Sequence, residues 1–122
     1  YSRVYALRAG TLTRKYEHAW AAGLFDGEGC AYAYRRTSNS RFVKLTVGQS
    51  HRAVLDRFCR AVGVGRVYGP YGPYAPARPQ RKPNWIWQTT TAAASRAAIR
   101  NLRPFLSPVK RRQIREATKR AS

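Results

Sequence analysis

The chain has 122 residues, a single domain's worth, and 43% of them are hydrophobic, an ordinary globular share that excludes wholesale disorder. Lys and Arg number 24 against 5 acids, for a net charge of +19. Because these cations are spread along the whole chain and not along one amphipathic face, they point to nucleic acid over a membrane surface, and to no small-molecule substrate. No apolar run reaches the roughly 18 residues of a membrane span, and residues 1–15 are basic and mixed, unlike a secretory leader. Cys30 and Cys59 form no C-x-x-C pair, which argues against zinc. An intracellular protein is expected.

Residues 1–12 show no clear period and read as a basic N-terminal arm ahead of one domain over 13–122. A helix is predicted from about Thr13, a possible cap with Glu17 in the first turns, to the breakers Gly27 and Gly29. Tyr16, Trp20 and Leu24 share one side of it, and Ala19, Ala22, Gly23 and Asp26 another. Residues 29–36 and 41–49 alternate as strands around the turn formers at 37–40. A second helix is predicted over 51–62, capped by Ser50 and ended by Gly63. Strands at 64–70 and 84–90 bracket residues 71–83, where four prolines forbid regular structure and leave a long basic hairpin tip. Helices over 92–103 and from Ser107-Pro108 to about Arg120 finish the chain.

Two of the five acids, Asp26 and Glu28, stand together in Ala-Ala-Gly-Leu-Phe-Asp-Gly-Glu-Gly, residues 21–29. Carboxylates kept in so basic a chain need a task. Glu28 follows the predicted helix end and opens the first strand. A carboxylate there, facing nucleic acid, suits Mg²⁺, a hard ion that takes one or two carboxylates with phosphate oxygens and water. The small residues beside it would let two copies of the helix approach closely. Two Glu28 groups brought together on a two-fold axis would demand a counter-cation.

This run resembles the signature of the LAGLIDADG homing endonucleases, with Gly23, Leu24, Asp26 and Gly29 in register and Glu28 at the family's metal-binding acid. The resemblance covers about 16–118. Leu45-Thr-Val-Gly-Gln-Ser50 is similar to the family's second strand, Val62-Gly-Val-Gly65 to its turn into the third, and Leu102-Arg-Pro-Phe-Leu106 to its link into the last helices. It implies an α+β fold of order α-β-β-α-β-β-α-α, with a four-stranded antiparallel sheet and helices on one face.

The resemblance further implies a homodimeric, site-specific double-strand DNA endonuclease that cuts a near-palindromic site and leaves 3′ overhangs. Glu28, Gln49 and Lys110 would be catalytic, with Arg111 the fallback for Lys110 because that match needs a one-residue shift. Glu28 and Gly27 would hold Mg²⁺, with Mn²⁺ or Ca²⁺ able to replace it. Ala19, Ala22, Gly23 and Asp26 would form the dimer interface. Rival readings are an intron-splicing RNA maturase, an inactive DNA-binding regulator of the same fold, or a basic RNA-binding or ribosomal protein.

If one side of each strand packs on helices, the other side exposes Tyr32, Tyr34, Arg36, Phe42, Lys44, Thr46, Arg66, Tyr68, Asn84, Ile86 and Gln88. This mix of donors, acceptors and apolar groups suits base edges in a major groove, whereas phosphates need only cations. Arg81 and Lys82 in the hairpin tip suit phosphates. His18 and His51 are the only histidines, and neither has a spaced nucleophile to make a hydrolytic triad.

Overall fold

The alternating residues at 29–49 fold into paired strands, and the rest of the chain packs helices on one side of them. The structure, a computed structural model, describes residues 2–72 and 82–122, with side chains from residue 12 onward. The elements are α1 (Ser2–Glu28), β1 (Gly29–Thr37), β2 (Ser40–Gln49), α2 (Arg52–Val62), β3 (Arg66–Tyr71), β4 (Asn84–Gln88), α3 (Ala92–Leu102), a 3-10 turn (Arg103–Phe105) and α4 (Pro108–Ala121). The strands form one antiparallel sheet of order β1-β2-β4-β3. This is the α+β architecture that the sequence implies.

Register fixes which side chains face the helices. Ala31 pairs with Leu45, Gly29 with Val47, and Val47 with Trp87. These residues meet Ala22 and Phe25 of α1, Leu55 and Phe58 of α2, Ala98 and Leu102 of α3 and Ile114 of α4 in one core. The Trp87 ring is fully buried, edge-on to Phe58 at 4.7 Å, and its indole N–H donates to the Val64 carbonyl at 3.0 Å. A Cβ on Gly65 would fall 2.4 Å from that indole, and the backbone there has φ +88, so two independent constraints require glycine. Past the end of β4, Thr89 Oγ1 accepts from the Leu45 amide at 3.0 Å and from the Ser95 hydroxyl at 2.7 Å, which locks α3 to the sheet; among the described residues every buried side-chain nitrogen and oxygen is paired.

Two helix starts differ from the sequence expectation, and the third and fourth strands run over Arg66–Tyr71 and Asn84–Gln88 instead of 64–70 and 84–90. α1 begins at Ser2, so Thr13 lies inside it and the residues read as an arm continue the helix from Ser2. No proline interrupts that stretch, and Gly10 costs only about 1 kcal/mol of helix propensity. Glu17 therefore faces no helix N-terminus. It pairs instead with Arg57 of α2 at 2.9 Å, and that guanidinium lies 3.9 Å from the Trp20 ring centre. The N-cap of α2 is His51, not Ser50, and its side chain makes no capping bond. Elsewhere the caps are as expected: Gly63 in the left-handed region ends α2, and Ser107 caps α4 with Pro108 at its first turn. Among the described residues no helix is long and apolar enough to cross a membrane.

Candidate nucleic-acid cleavage site

The run at 21–29 is the end of α1 passing into β1 without a loop. Ala21, Ala22 and Phe25 are fully buried under the sheet. β1 crosses the Phe25 ring so closely that a Cβ on Gly29 would lie 2.3 Å from it. Glycine at 29 is thus a requirement of packing. Asp26 is turned inward as well, and its two carboxylate oxygens accept from the Ser107 amide at 3.0 and 3.2 Å. An anion at a helix N-terminus is favoured by the helix dipole. Asp26 therefore ties the end of α1 to the start of α4.

That tie places Lys110, in the first turn of α4. Its Nζ donates to the Gly29 carbonyl and to Gln113 Oε1 at 3.4 Å, and Gln113 Oε1 also accepts from the Ala31 amide at 3.1 Å. β1 is an edge strand, so this amide has a partner from α4 in place of a neighbouring strand. Arg111, the fallback for Lys110, points elsewhere and donates to the carbonyls of Arg103 and Pro104 at 3.1 and 3.2 Å. Of the two cations, Lys110 stands beside the residue that follows Glu28.

Glu28 itself is exposed, at the C-terminal end of α1. The chain has 5 acids. Glu17, Asp56 and Glu116 pair with Arg57, Arg52 and Lys119, and Asp26 holds Ser107. Among the described residues Glu28 makes no hydrogen bond or ion pair. A carboxylate at the negative end of a helix dipole is disfavoured by roughly 0.3–1 kcal/mol unless a cation joins it. Gln49 ends β2 on the same side as Leu45 and Val47, two residues past Val47, the partner of Gly29, and so lies at the level of the α1 terminus. Strand register brings Gln49 to the same end of the sheet as Glu28 and Lys110.

Among the described residues no group of three or more His, Cys, Asp and Glu side chains could hold a metal ion. One free carboxylate, with the carbonyl of Gly27 one residue before it at a helix end, suits a hard divalent ion completed by phosphate oxygens, water or a second chain. It does not make a closed protein cage.

The outer face of the sheet has the expected parity. Tyr32 pairs with Lys44, Tyr34 with Phe42, Thr46 with Gln88, Gln88 with Arg66, and Ile86 with Tyr68. Lys44 Nζ lies 4.2 Å over the Tyr34 ring, and the Tyr32 and Tyr34 rings meet edge-on at 6.5 Å. Partial burial pushes the Tyr32 phenol above its usual pKa, and the neighbouring Cys30 and Tyr34 groups add to the shift, so it remains a hydrogen-bond donor. Phe42 departs from the expectation. It is only 7% exposed and edge-on to Tyr34 at 5.5 Å, and so supports that tyrosine instead of offering a surface for bases. Arg36, Asn84 and Lys82 are exposed, and Arg81 lies outside the described residues.

The α1 residues expected to meet a second chain differ in exposure. Ala22 is fully buried within the chain, and Asp26 is half-buried and hydrogen-bonded to the Ser107 amide. Ala19 is half-buried. Gly23 and Gly27, one turn apart and exposed, have nothing within 4 Å of an added Cβ. Sequence reasoning overlooked the roles of Gln113 and Asp26. The spacing of Gln113, one turn after Lys110, was the available signal for the first.

No family model matches the sequence, and no curated protein matches it. Solved structures do match. The homing endonuclease I-CvuI in complex with its target in the presence of calcium is 22% identical, with a TM-score of 0.65 over 85% of this chain and 64% of that one. The LAGLIDADG meganuclease I-AabMI, bound to uncleaved DNA, is 18% identical, with a TM-score of 0.62 over 81% of this chain and 34% of that one. The group I intron-encoded homing endonuclease I-CeuI, complexed with DNA, is 14% identical, with a TM-score of 0.59 over 81% of this chain and 50% of that one. The chain thus spans less than two thirds of the length of each of these proteins. The architecture into which residues 21–29 fold is that of the LAGLIDADG homing endonucleases.

Proposed function

We infer that this chain is a site-specific double-strand DNA endonuclease that works as a homodimer. The observation that carries the reading is Glu28. It is the one acid without a partner among the described residues, it stands at a helix end, and Lys110 is held at the adjoining residue. The solved relatives in complex with DNA support the same substrate class.

Two features support pairing through α1. Gly23 and Gly27 have open space where a Cβ would stand, although each glycine costs helix stability that alanine would not. Close approach of a second α1 gives that cost a purpose, and it sets two Glu28 carboxylates side by side over a near-palindromic duplex. The outer sheet face, with Tyr32, Lys44, Arg66, Asn84, Ile86 and Gln88, reads base edges in the major groove. The surplus of cations binds phosphates, so affinity falls by orders of magnitude on modest salt addition.

Glu28 and the Gly27 carbonyl would hold Mg²⁺, which when bound supplies charge neutralisation and an activated water at a phosphodiester. Mn²⁺ or Ca²⁺ suits the same oxygens. Gln49, with one amide carbonyl and one amide N–H₂, orients the attacking water. Lys110 places positive charge where negative charge builds on the phosphate. The products carry 3′ overhangs, with one cut from each subunit.

The test is cleavage of a library of duplex sites, or of the host locus, by wild type and Glu28→Gln with Mg²⁺. Cutting by wild type and retained binding without cutting by the variant is the expected result. Equal cutting by both would remove the catalytic assignment. Light scattering of the DNA complex tests the assembly separately, and one chain per duplex would contradict the paired helices.

A further inference from the structure

α3 and α4 lie side by side on the helix-covered face of the sheet, and between them runs an open groove of about 800 Å³. Its walls carry Arg96, Arg100 and Arg103 from one side and Arg111, Arg115 and Lys119 from the other. These cations follow from helical spacing. Positions 96 and 100 recur on one stripe of α3, with 103 opening the 3-10 turn that follows it, and 111, 115 and 119 recur on one stripe of α4. The floor is apolar, formed by Ile99, Pro104 and Ile114. No acidic side chain lines the groove, and the nearest acid in sequence, Glu116, makes only an exposed pair with Lys119 at 3.9 Å.

Six like charges facing one another across a cleft repel. Elsewhere the fold quenches such charge: Arg57 lies between Glu17 and Trp20, and Arg52 between Asp56 and Trp85. In the groove the guanidinium of Arg111, the one there with hydrogen bonds among the described residues, uses backbone carbonyls, which carry no net charge. The groove is thus built for an external polyanion. Its lining belongs to the helices packed on the inner side of the sheet, opposite the side that carries Tyr32 and Lys44.

We propose that the α3–α4 groove is a second nucleic-acid site, and that its occupant is a single strand. A duplex keeps its bases stacked inside and would meet only the rim cations, leaving the Ile99–Pro104–Ile114 floor without a purpose. A single strand uses both parts. Its phosphates lie along the arginine walls, and its unstacked bases lie on the apolar floor and against guanidinium planes. An acidic peptide would satisfy the charge, but only a nucleic-acid strand sets a flat base beside every backbone anion.

The experiment uses the whole chain and four probes, a fluorescent oligouridylate, an oligothymidylate of equal length, a blunt duplex, and polyglutamate. Arg100→Glu combined with Arg115→Glu reverses two exposed groove charges, and Lys44→Glu combined with Arg66→Glu reverses two on the sheet. The groove pair is expected to weaken one or both single strands by at least about ten-fold, to lower the salt slope by roughly 0.7 per lost phosphate contact, and to leave duplex binding within about two-fold. The sheet pair is expected to do the reverse, and protein saturated with duplex still binds the single strand. RNA and DNA arms then say which strand the groove prefers. Displacement of the single strand by duplex, equal loss of all probes in both pairs, or tighter binding of polyglutamate than of either oligomer would each overturn the proposal. Because no arm depends on Glu28 or on cleavage, failure here leaves the endonuclease reading standing, and the reverse is also true.

Discussion

Lys110 reaches from the first turn of α4 to the carbonyl oxygen of Gly29, the residue that follows Glu28. The two ends of the chain's fold are thus joined at one point, because Asp26 holds the α4 N-terminus through Ser107 while Lys110 reaches back to the β1 start. Glu28 and Lys110 are brought to the same end of the sheet by a third side chain, the Asp26 carboxylate.

From this follows a contrast between neighbouring cations. Lys110→Met is expected to lower cleavage by roughly 10²-fold, the order seen when one charge-stabilising donor is lost, with duplex affinity changed little. Arg111→Met removes only the bonds to Arg103 and Pro104 and leaves the rate near wild type. Single-turnover cleavage on a bound duplex checks both, and equal loss in the two variants would contradict the assignment.

Asp26→Asn tests the tie. The amide keeps an acceptor for the Ser107 N–H but loses the charge that favours the α4 N-terminus, at a cost of about 0.3–1 kcal/mol. Asp26→Ala leaves that half-buried amide without its partner and costs about 1–3 kcal/mol. Urea melts of the two variants give the order, and cleavage is expected to fall in step with it.

Three glycines in one run are expected to behave in two ways. Gly29→Ala drives a methyl into the Phe25 ring and destabilises the fold by about 1–3 kcal/mol. Gly23→Ala and Gly27→Ala meet nothing within the chain and raise helix propensity by up to about 1 kcal/mol. Larger side chains at these positions, as in Gly27→Leu, keep the chain folded but hold the helices apart. Thermal melts read the first effect, and light scattering with site binding reads the second.

The Glu17–Arg57 pair gives an acid-side pH dependence. The hydrogen bond from Arg57 is the largest influence on Glu17, the charges of Arg57 and Arg60 act in the same direction, and together they hold the carboxyl below its usual value against the opposing effect of burial. Its folded pKa is therefore depressed. The contribution is fully present above the ordinary carboxylate value of about 4.3 and is lost as pH falls through the lower folded value. Both partners are solvent-accessible, so salt screens the effect. Glu17→Gln is expected to flatten the stability profile in that window and to lower stability at neutral pH, where the contribution is fully present, so that the variant and wild type converge in acid.

Much of this was legible in the chain because it depends on near neighbours. Alternation set the strands, so the parity of Tyr32, Lys44, Thr46, Asn84, Ile86 and Gln88 could be read without coordinates. Gly63, and Ser107 with Pro108, announce helix ends because capping is a local hydrogen-bonding requirement. The run at 21–29 marked itself by holding two acids in a chain of +19. Contacts between distant segments decided the rest. Helical periodicity assigns Ala22 and Asp26 to a face, but only the positions of the sheet and α4 say that this face points inward. The choice of Lys110 over Arg111 depends on where α4 sits against β1, and the pairing of Phe42 with Tyr34 depends on strand register. The sequence determined which residues could act. Packing decided which of them are free to act, because burial and hydrogen bonding withdraw a side chain from solvent whatever its chemical type.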